Sequence, residues 1–213
     1  MKFALCILVI LGCANAEFGP VGIKRILNIH NELRSQIALG AYDGEETFET
    51  YKPSASNMRK LKWDDSLAAS AQNYSNTCPD RLSAPSRDGE NVFFATSSNG
   101  QDSVDYYGDR ASEIWKSEFE NRGWNSTKMD DNAFNSGIKE ATQMVWAETH
   151  LIGCGVSVCP KDNRFKYVVV CHYEEPGNKK DANIYEEGTT CSNCPENFGC
   201  DNNTGLCILQ LLA

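Results

Sequence analysis

The side chains with the widest chemical reach in this sequence are ten cysteines, three histidines and a glutamate, Glu118, set among apolar neighbours. Thiolates attack electrophiles or bind metals, imidazoles move protons or ligate zinc, and a carboxyl on an apolar stripe has a disturbed proton affinity. The histidines are scattered. His30 lies in an amphipathic helical pattern and His172 in a β-rich run beside Cys171, positions that suit packed, hydrogen-bonded rings; His150 falls in a loop and is expected to face solvent. No general base is placed by the pattern near a serine or a free cysteine, so the activated nucleophile of a hydrolase is not expected.

The cysteines divide by position. Lys2, the apolar run Phe3 to Leu11 and Ala14-Asn15-Ala16 have the order of a secretory leader cleaved after Ala16, and the run is too short for the roughly 20 residues of a membrane span. Removing residues 1–16 takes away Cys6 and Cys13 and leaves Cys78, Cys154, Cys159, Cys171, Cys191, Cys194, Cys200 and Cys207, an even set that reads as four disulfides in an oxidising compartment. A zinc site on Cys191, Cys194, Cys200 and Cys207 is the alternative, disfavoured by that compartment. Asn73, Asn125 and Asn202 stand in glycosylation sequons, Asn73 within a helical pattern. A net charge of −9 without a basic tract argues against nucleic acid and anionic membrane surfaces as partners.

Elements able to position these groups follow from periodicity. Ile23, Ile26, Leu27, His30, Leu33 and Ile37 recur at helical spacing up to Gly40, and Asp64 or Asp65 can cap a second helix carrying Leu67, Ala68, Ala71 and Tyr74 inward, ending near Cys78. A short strand is expected over Asn91 to Ala95 and a turn at Asn99-Gly100. A third helix buries Val104, Tyr107, Ala111, Ile114, Trp115, Glu118 and Phe119, and a fourth runs from Lys139 to Thr149. Ile152 to Val158 and Lys166 to Tyr173 read as strands joined by a short connection holding Cys159, Asp162 and Asn163. Helices before and between antiparallel strands define an α+β chain: a three-layer α-β-α sandwich with an antiparallel central sheet and a small disulfide-knotted C-terminal tail. Its expected parts are the leader 1–16, one domain over 17–180 and a cysteine-rich extension over 181–213.

Several segments together resemble the CAP superfamily of antigen 5, pathogenesis-related and cysteine-rich secretory proteins: His30-Asn31-Glu32-Leu33-Arg34, Leu61-Lys62-Trp63-Asp64, Gly89-Glu90-Asn91, Thr142-Gln143-Met144-Val145-Trp146, Gly153-Cys154-Gly155, Val170-Cys171-His172-Tyr173 and Pro176-Gly177-Asn178. The closing Cys191-Ser192-Asn193-Cys194-Pro195 and Gly205-Leu206-Cys207 are similar to single-domain secreted proteins of parasitic nematodes, hookworms in particular. The resemblance implies bridges Cys78 to Cys159 and Cys154 to Cys171, with two more inside the tail.

The family's cleft commonly holds two glutamates and two histidines able to bind zinc. Here the resemblance places Glu90 and Glu118 at the glutamate positions, while Glu140 replaces one histidine and the loop Leu82 to Arg87 supplies none before Glu90. Zinc and histidine-based catalysis are therefore not expected, and no cofactor is. Calcium or magnesium becomes an option if Glu90, Glu118 and Glu140 converge; otherwise Glu140 turns to solvent and the other two hydrogen-bond the core.

What remains is a secreted, non-enzymatic binder. Hookworm relatives include integrin antagonists, so the resemblance implies a host protein as partner, an integrin on platelets or leukocytes being one case and a non-integrin receptor another. Carriage of a sterol or fatty acid, in a groove between helices or under a loop, is the competing class, with Phe48, Phe93 and Phe94 as apolar candidates. Tyr107-Gly108-Asp109 only partly echoes an integrin tripeptide. The loops Ala41 to Lys60 and Asn121 to Ser136, with the tail, are the expected binding surfaces.

Overall fold

A computed structural model describes residues 16–43, 52–83 and 89–210. Almost all of the expected leader, Phe48, and the loop residues 84–88 lie outside the described residues.

The first helix, α1 (Pro20–Ala38), opens on a proline and buries Ile26, His30, Leu33, Arg34 and Ile37. Proline suits a helix start because its missing N–H is not needed there. The short strand β1 (Lys62–Trp63) leads into α2 (Asp65–Ser75), capped by Asp64, whose carboxylate accepts the Leu67 N–H at 2.9 Å. Next come β2 (Gly89–Ser97), α3 (Val104–Lys116), α4 (Glu118–Arg122), α5 (Asp131–Asn135) and α6 (Lys139–Met144), then the long hairpin β3 (Leu151–Lys161) and β4 (Arg164–Glu174). The hairpin turns at Asp162 and Asn163, with Asp162 in the left-handed region.

The four strands stand in the order β1-β3-β4-β2, antiparallel except that β1 joins β3 in parallel. Strand alternation divides the core. Tyr167, Val169, Cys171 and Tyr173 of β4 join the α1 and α3 side, whereas Val168 and Val170 pack with Ala71 of α2 on the other face. Glycine makes the second packing close: a Cβ on Gly153 would lie 2.1 Å from the Ala68 nitrogen, and one on Gly155 would lie 2.3 Å from that of Gln72. The Gln72 carboxamide then pairs with the backbone of Val156 through both its atoms, at 2.8 and 3.0 Å, and seals the outer edge of β3.

Three expectations need correction. The third helix breaks at Ser117, and Ile114 is exposed rather than inward, because α3 has only one face against α1 and the sheet. The fourth helix stops at Met144, not Thr149. Its would-be continuation is taken by Arg34, a fully buried guanidinium that donates to the carbonyls of Met144, Trp146, Ala147 and Thr149 at 2.8 to 3.2 Å, and through Nε to that of Arg59. The tail, in which β5 (Phe198–Asp201) pairs with β6 (Leu206–Leu209), shares the main core: Ile184, Tyr185 and Leu206 are buried in it, and Cys207 exchanges backbone bonds with Met58 and Lys60.

Disulfides join Cys78 to Cys159, Cys154 to Cys171, Cys191 to Cys200 and Cys194 to Cys207. The sulfurs of Cys191, Cys194 and Cys207 lie within 4.8 Å of one another, in two adjacent bridges.

Candidate functional site

Antiparallel register sets Glu90 of β2 directly opposite His172 of β4, so both side chains leave the sheet on the same face, toward α2. Glu90 Oε2 lies 3.2 Å from His172 Nε2, its Oε1 accepts the Ser83 N–H at 2.7 Å, and both side chains are nearly buried. Burial opposes the charge on Glu90, but the bonds from His172 and Ser83 outweigh it and hold the pKa below the ordinary carboxylate value. On its other side His172 Nδ1 lies 3.1 Å from the hydroxyl of Ser70 in α2.

A serine, a histidine and a carboxylate thus stand in hydrogen-bonded sequence, contrary to the expectation that no base lies near a serine. The link crosses 102 residues of sequence, which no local pattern could register. In the neutral ring, Nε2–H donates to Glu90 and Nδ1 accepts from Ser70. A hydrolase needs in addition N–H donors for an oxyanion, and Ser70 lies mid-helix, where its own amide is committed to the helix ladder. The trio ties α2 to the sheet.

Glu118 and Glu140 meet elsewhere. Glu118 Oε2 accepts the Ala141 N–H at 3.0 Å at the start of α6, and the Glu140 carboxyl lies near enough to act on its charge. Burial first, and then the neighbouring Glu140 carboxyl, push the Glu118 pKa up to about 8, so Glu118 keeps its proton at neutral pH. The three carboxylates therefore do not converge: Glu90 turns to His172 and Ser83, and Glu118 pairs with Glu140. Nor does Glu140 simply turn to solvent.

Behind α6 runs a second polar chain. His30 Nδ1 lies 2.8 Å from the Ile26 carbonyl and Nε2 2.9 Å from the Tyr173 hydroxyl; Asn91 donates to that hydroxyl and to the Glu140 carbonyl, at 3.2 and 3.0 Å. Complete burial lowers the His30 pKa to about 4 and keeps the ring neutral. His150, expected in solvent, is half-buried with Nδ1 shielded and its ring edge-on to Phe198, because the tail folds over it.

The family's zinc set does not fit these residues. His172 has both ring nitrogens engaged, and the carboxyl pair has no imidazole among its hydrogen-bond partners. Tyr107-Gly108-Asp109 is absorbed by packing. Tyr107 stacks on Tyr167 at 3.8 Å between centroids, a Cβ at Gly108 would lie 2.7 Å from Phe18, and Asp109 pairs with Arg25 at 2.8 Å. Phe93 is partly buried against the core, and Phe94 lies under the Lys166 ammonium.

A disulfide-stapled α-β-α sandwich with this cleft defines a class, and comparison with known proteins gives the family. The profile of the cysteine-rich secretory protein family, CAP, matches residues 27–173, and the chain belongs to this family. It is 34% identical to cysteine-rich secretory protein 3 of Equus caballus over 86% of this chain and 67% of that protein, and 32% identical to peptidase inhibitor 16 of Mus musculus over 84% of this chain. The chain spans only 32% of the length of the latter. Among solved structures, BmVAL-1 matches with a TM-score of 0.82 at 31% identity, covering 93% of this chain and 99% of that one. NaASP2 with Zn2+ matches with 0.78 at 33%, covering 91% and 98%. Hookworm platelet inhibitor matches with 0.68 at 22% identity, covering 92% and 94%, a likeness of fold alone. Among the described residues no helix is long and apolar enough to cross a membrane.

Proposed function

We propose that the protein is a secreted, non-enzymatic effector that binds a host protein, an integrin on platelets or leukocytes being the receptor class to test first. The observation that carries this is the state of the cleft: Glu90 is closed off by His172 and Ser83, and Glu118 is paired with Glu140, so no polar group of the family set is left aimed at a substrate. Function then falls to the surface, where the connections within Asn121 to Ser136 and the turns of the tail present exposed residues around buried anchors such as Trp124, Met129 and Leu206. The purified, folded protein should inhibit platelet aggregation and integrin-dependent adhesion at roughly micromolar concentration. Normal aggregation and adhesion at that concentration would remove the integrin reading, and a pull-down from plasma and blood-cell membranes would then seek a non-integrin receptor. Labelling of Ser70 by a fluorophosphonate would overturn the non-enzymatic part.

Lipid carriage receives less support. α1 and α3 are in van der Waals contact at both Gly22 and Gly108, which leaves an acyl chain no passage between the helices at those points. Binding of radiolabelled palmitate or cholesterol above the buffer background would reopen it.

A further inference from the structure

Beside α2, on the side away from Glu90, lies a groove of about 360 Å³ whose walls include Phe18, Ile23, Trp63, Ala69 and Gln72, with Asn73 on its margin. Asn73 begins the sequon Asn73-Tyr74-Ser75. Its side chain is exposed in the last turn of α2 and makes no hydrogen bond to another described residue, whereas its neighbours Gln72 and Asn76 are both bonded. Four disulfides suit passage through the oxidising compartment where glycans are attached.

From this placement we propose that Asn73 is N-glycosylated and that the first sugars of its glycan lie in this groove, over Trp63. A pyranose ring has an apolar face that stacks on an aromatic ring, and its N-acetyl group can reach the polar rim. The groove supplies both kinds of wall.

The modification must precede folding. Ser75, whose hydroxyl completes the sequon, is fully buried, with its oxygen bonded to the Gln72 carbonyl and to Ser157. A transferase therefore meets the sequon only in the unfolded chain. There the Asn73 amide nitrogen forms a bond to C1 of a lipid-diphosphate-linked oligosaccharide as the C1–O bond to diphosphate breaks, and the amide proton leaves with the diphosphate.

The test is a secreted preparation from a eukaryotic host, mapped by glycopeptide mass spectrometry and compared with Asn73→Gln and, as control, Asn125→Gln. Both residues are exposed, so both variants should fold. Trp115, Trp124 and Trp146 are at most 5% exposed, which makes acrylamide quenching of tryptophan fluorescence report chiefly on Trp63. Occupancy at Asn73 is expected, with quenching that rises about twofold in Asn73→Gln and stays unchanged in Asn125→Gln. Secreted protein unmodified at Asn73 overturns the site. An occupied Asn73 with equal quenching in all three proteins overturns the seat of the glycan in the groove.

Discussion

Glu90 and His172 face each other across the β2–β4 ladder, 3.2 Å apart and nearly buried, and each holds the other's polar group away from water. Replacing His172 by alanine leaves a buried carboxylate bonded, among the described residues, only to the N–H and side chain of Ser83, and should cost about 2–3 kcal/mol in urea unfolding. Replacing both, as Glu90→Gln with His172→Ala, should cost less than the sum of those two single changes by about 1 kcal/mol or more. Strict additivity would mean that the pair does not interact.

Arg34 holds the segment after α6. Its five donors meet five carbonyls, and among the described residues no carboxylate pairs with it, so its positive charge rests on carbonyl dipoles. Burial lowers its pKa to about 9, which leaves it charged at neutral pH. Arg34→Met should destabilise by more than about 3 kcal/mol, because the carbonyls it satisfied stay buried. Arg34→Lys should recover only part of this, since an ammonium has three donors and no planar fork. Amide exchange at 145–150 should accelerate in both variants.

The sequence made some of this visible and hid the rest for a physical reason. Helix α1, the Asp64 cap and the turn at Asp162-Asn163 express local rules, periodicity and capping, that act within a few residues. The carbonyls bonded to Arg34 are up to 115 residues away, and Ser70 lies 102 from His172. One signal for Arg34 was present: it sits four residues after His30 on the buried side of α1, where a charge requires partners. Glu118 was marked by its apolar neighbours, but its partner Glu140 was not placed against it by any local pattern. The apolar pattern runs on past Met144, but α6 ends there because Arg34 claims the carbonyls that follow.

Stability should fall with rising pH between about 6.5 and 8. Glu118 has a folded pKa of about 8, above its ordinary value of 4.5, so between these values the folded state binds the extra proton. That contribution is complete below 4.5 and is lost as pH rises through 8. His30, lowered to about 4, acts in the opposite sense, but its effect is complete above its unfolded value of 6.5. The window above 6.5 therefore isolates Glu118. Glu118→Gln should abolish the slope there and raise stability at pH 8 by about 1–2 kcal/mol, after discounting for partial exposure. A wild-type slope that persists in Glu118→Gln would remove Glu118 as its source.

Calorimetric titration at neutral pH should give no saturable heat with zinc, calcium or magnesium at millimolar concentration. His172 has no free ring nitrogen, and a divalent ion at the other pair would have to displace the proton of Glu118. Saturable zinc binding would show that these groups rearrange into a ligand set.

Gly22 gives a prediction whose sign depends on a second residue. A Cβ at this position would lie 2.3 Å from Asp105 Oδ1 and 2.6 Å from its Cγ, and the same Oδ1 accepts the Gly19 N–H at 3.0 Å. Gly22→Ala must push Asp105 aside and break that bond where α1 and α3 meet, at a cost of about 1–3 kcal/mol. Alanine in a helix gains about 1 kcal/mol over glycine, so the net loss should be about 0–2 kcal/mol. In an Asp105→Ala background the obstructing carboxylate is gone and only the propensity gain remains. There Gly22→Ala should be neutral or stabilise by up to about 1 kcal/mol, measured by urea unfolding of the four proteins of the cycle. The same loss in both backgrounds would show that the glycine serves the backbone of α1 rather than its contact with Asp105.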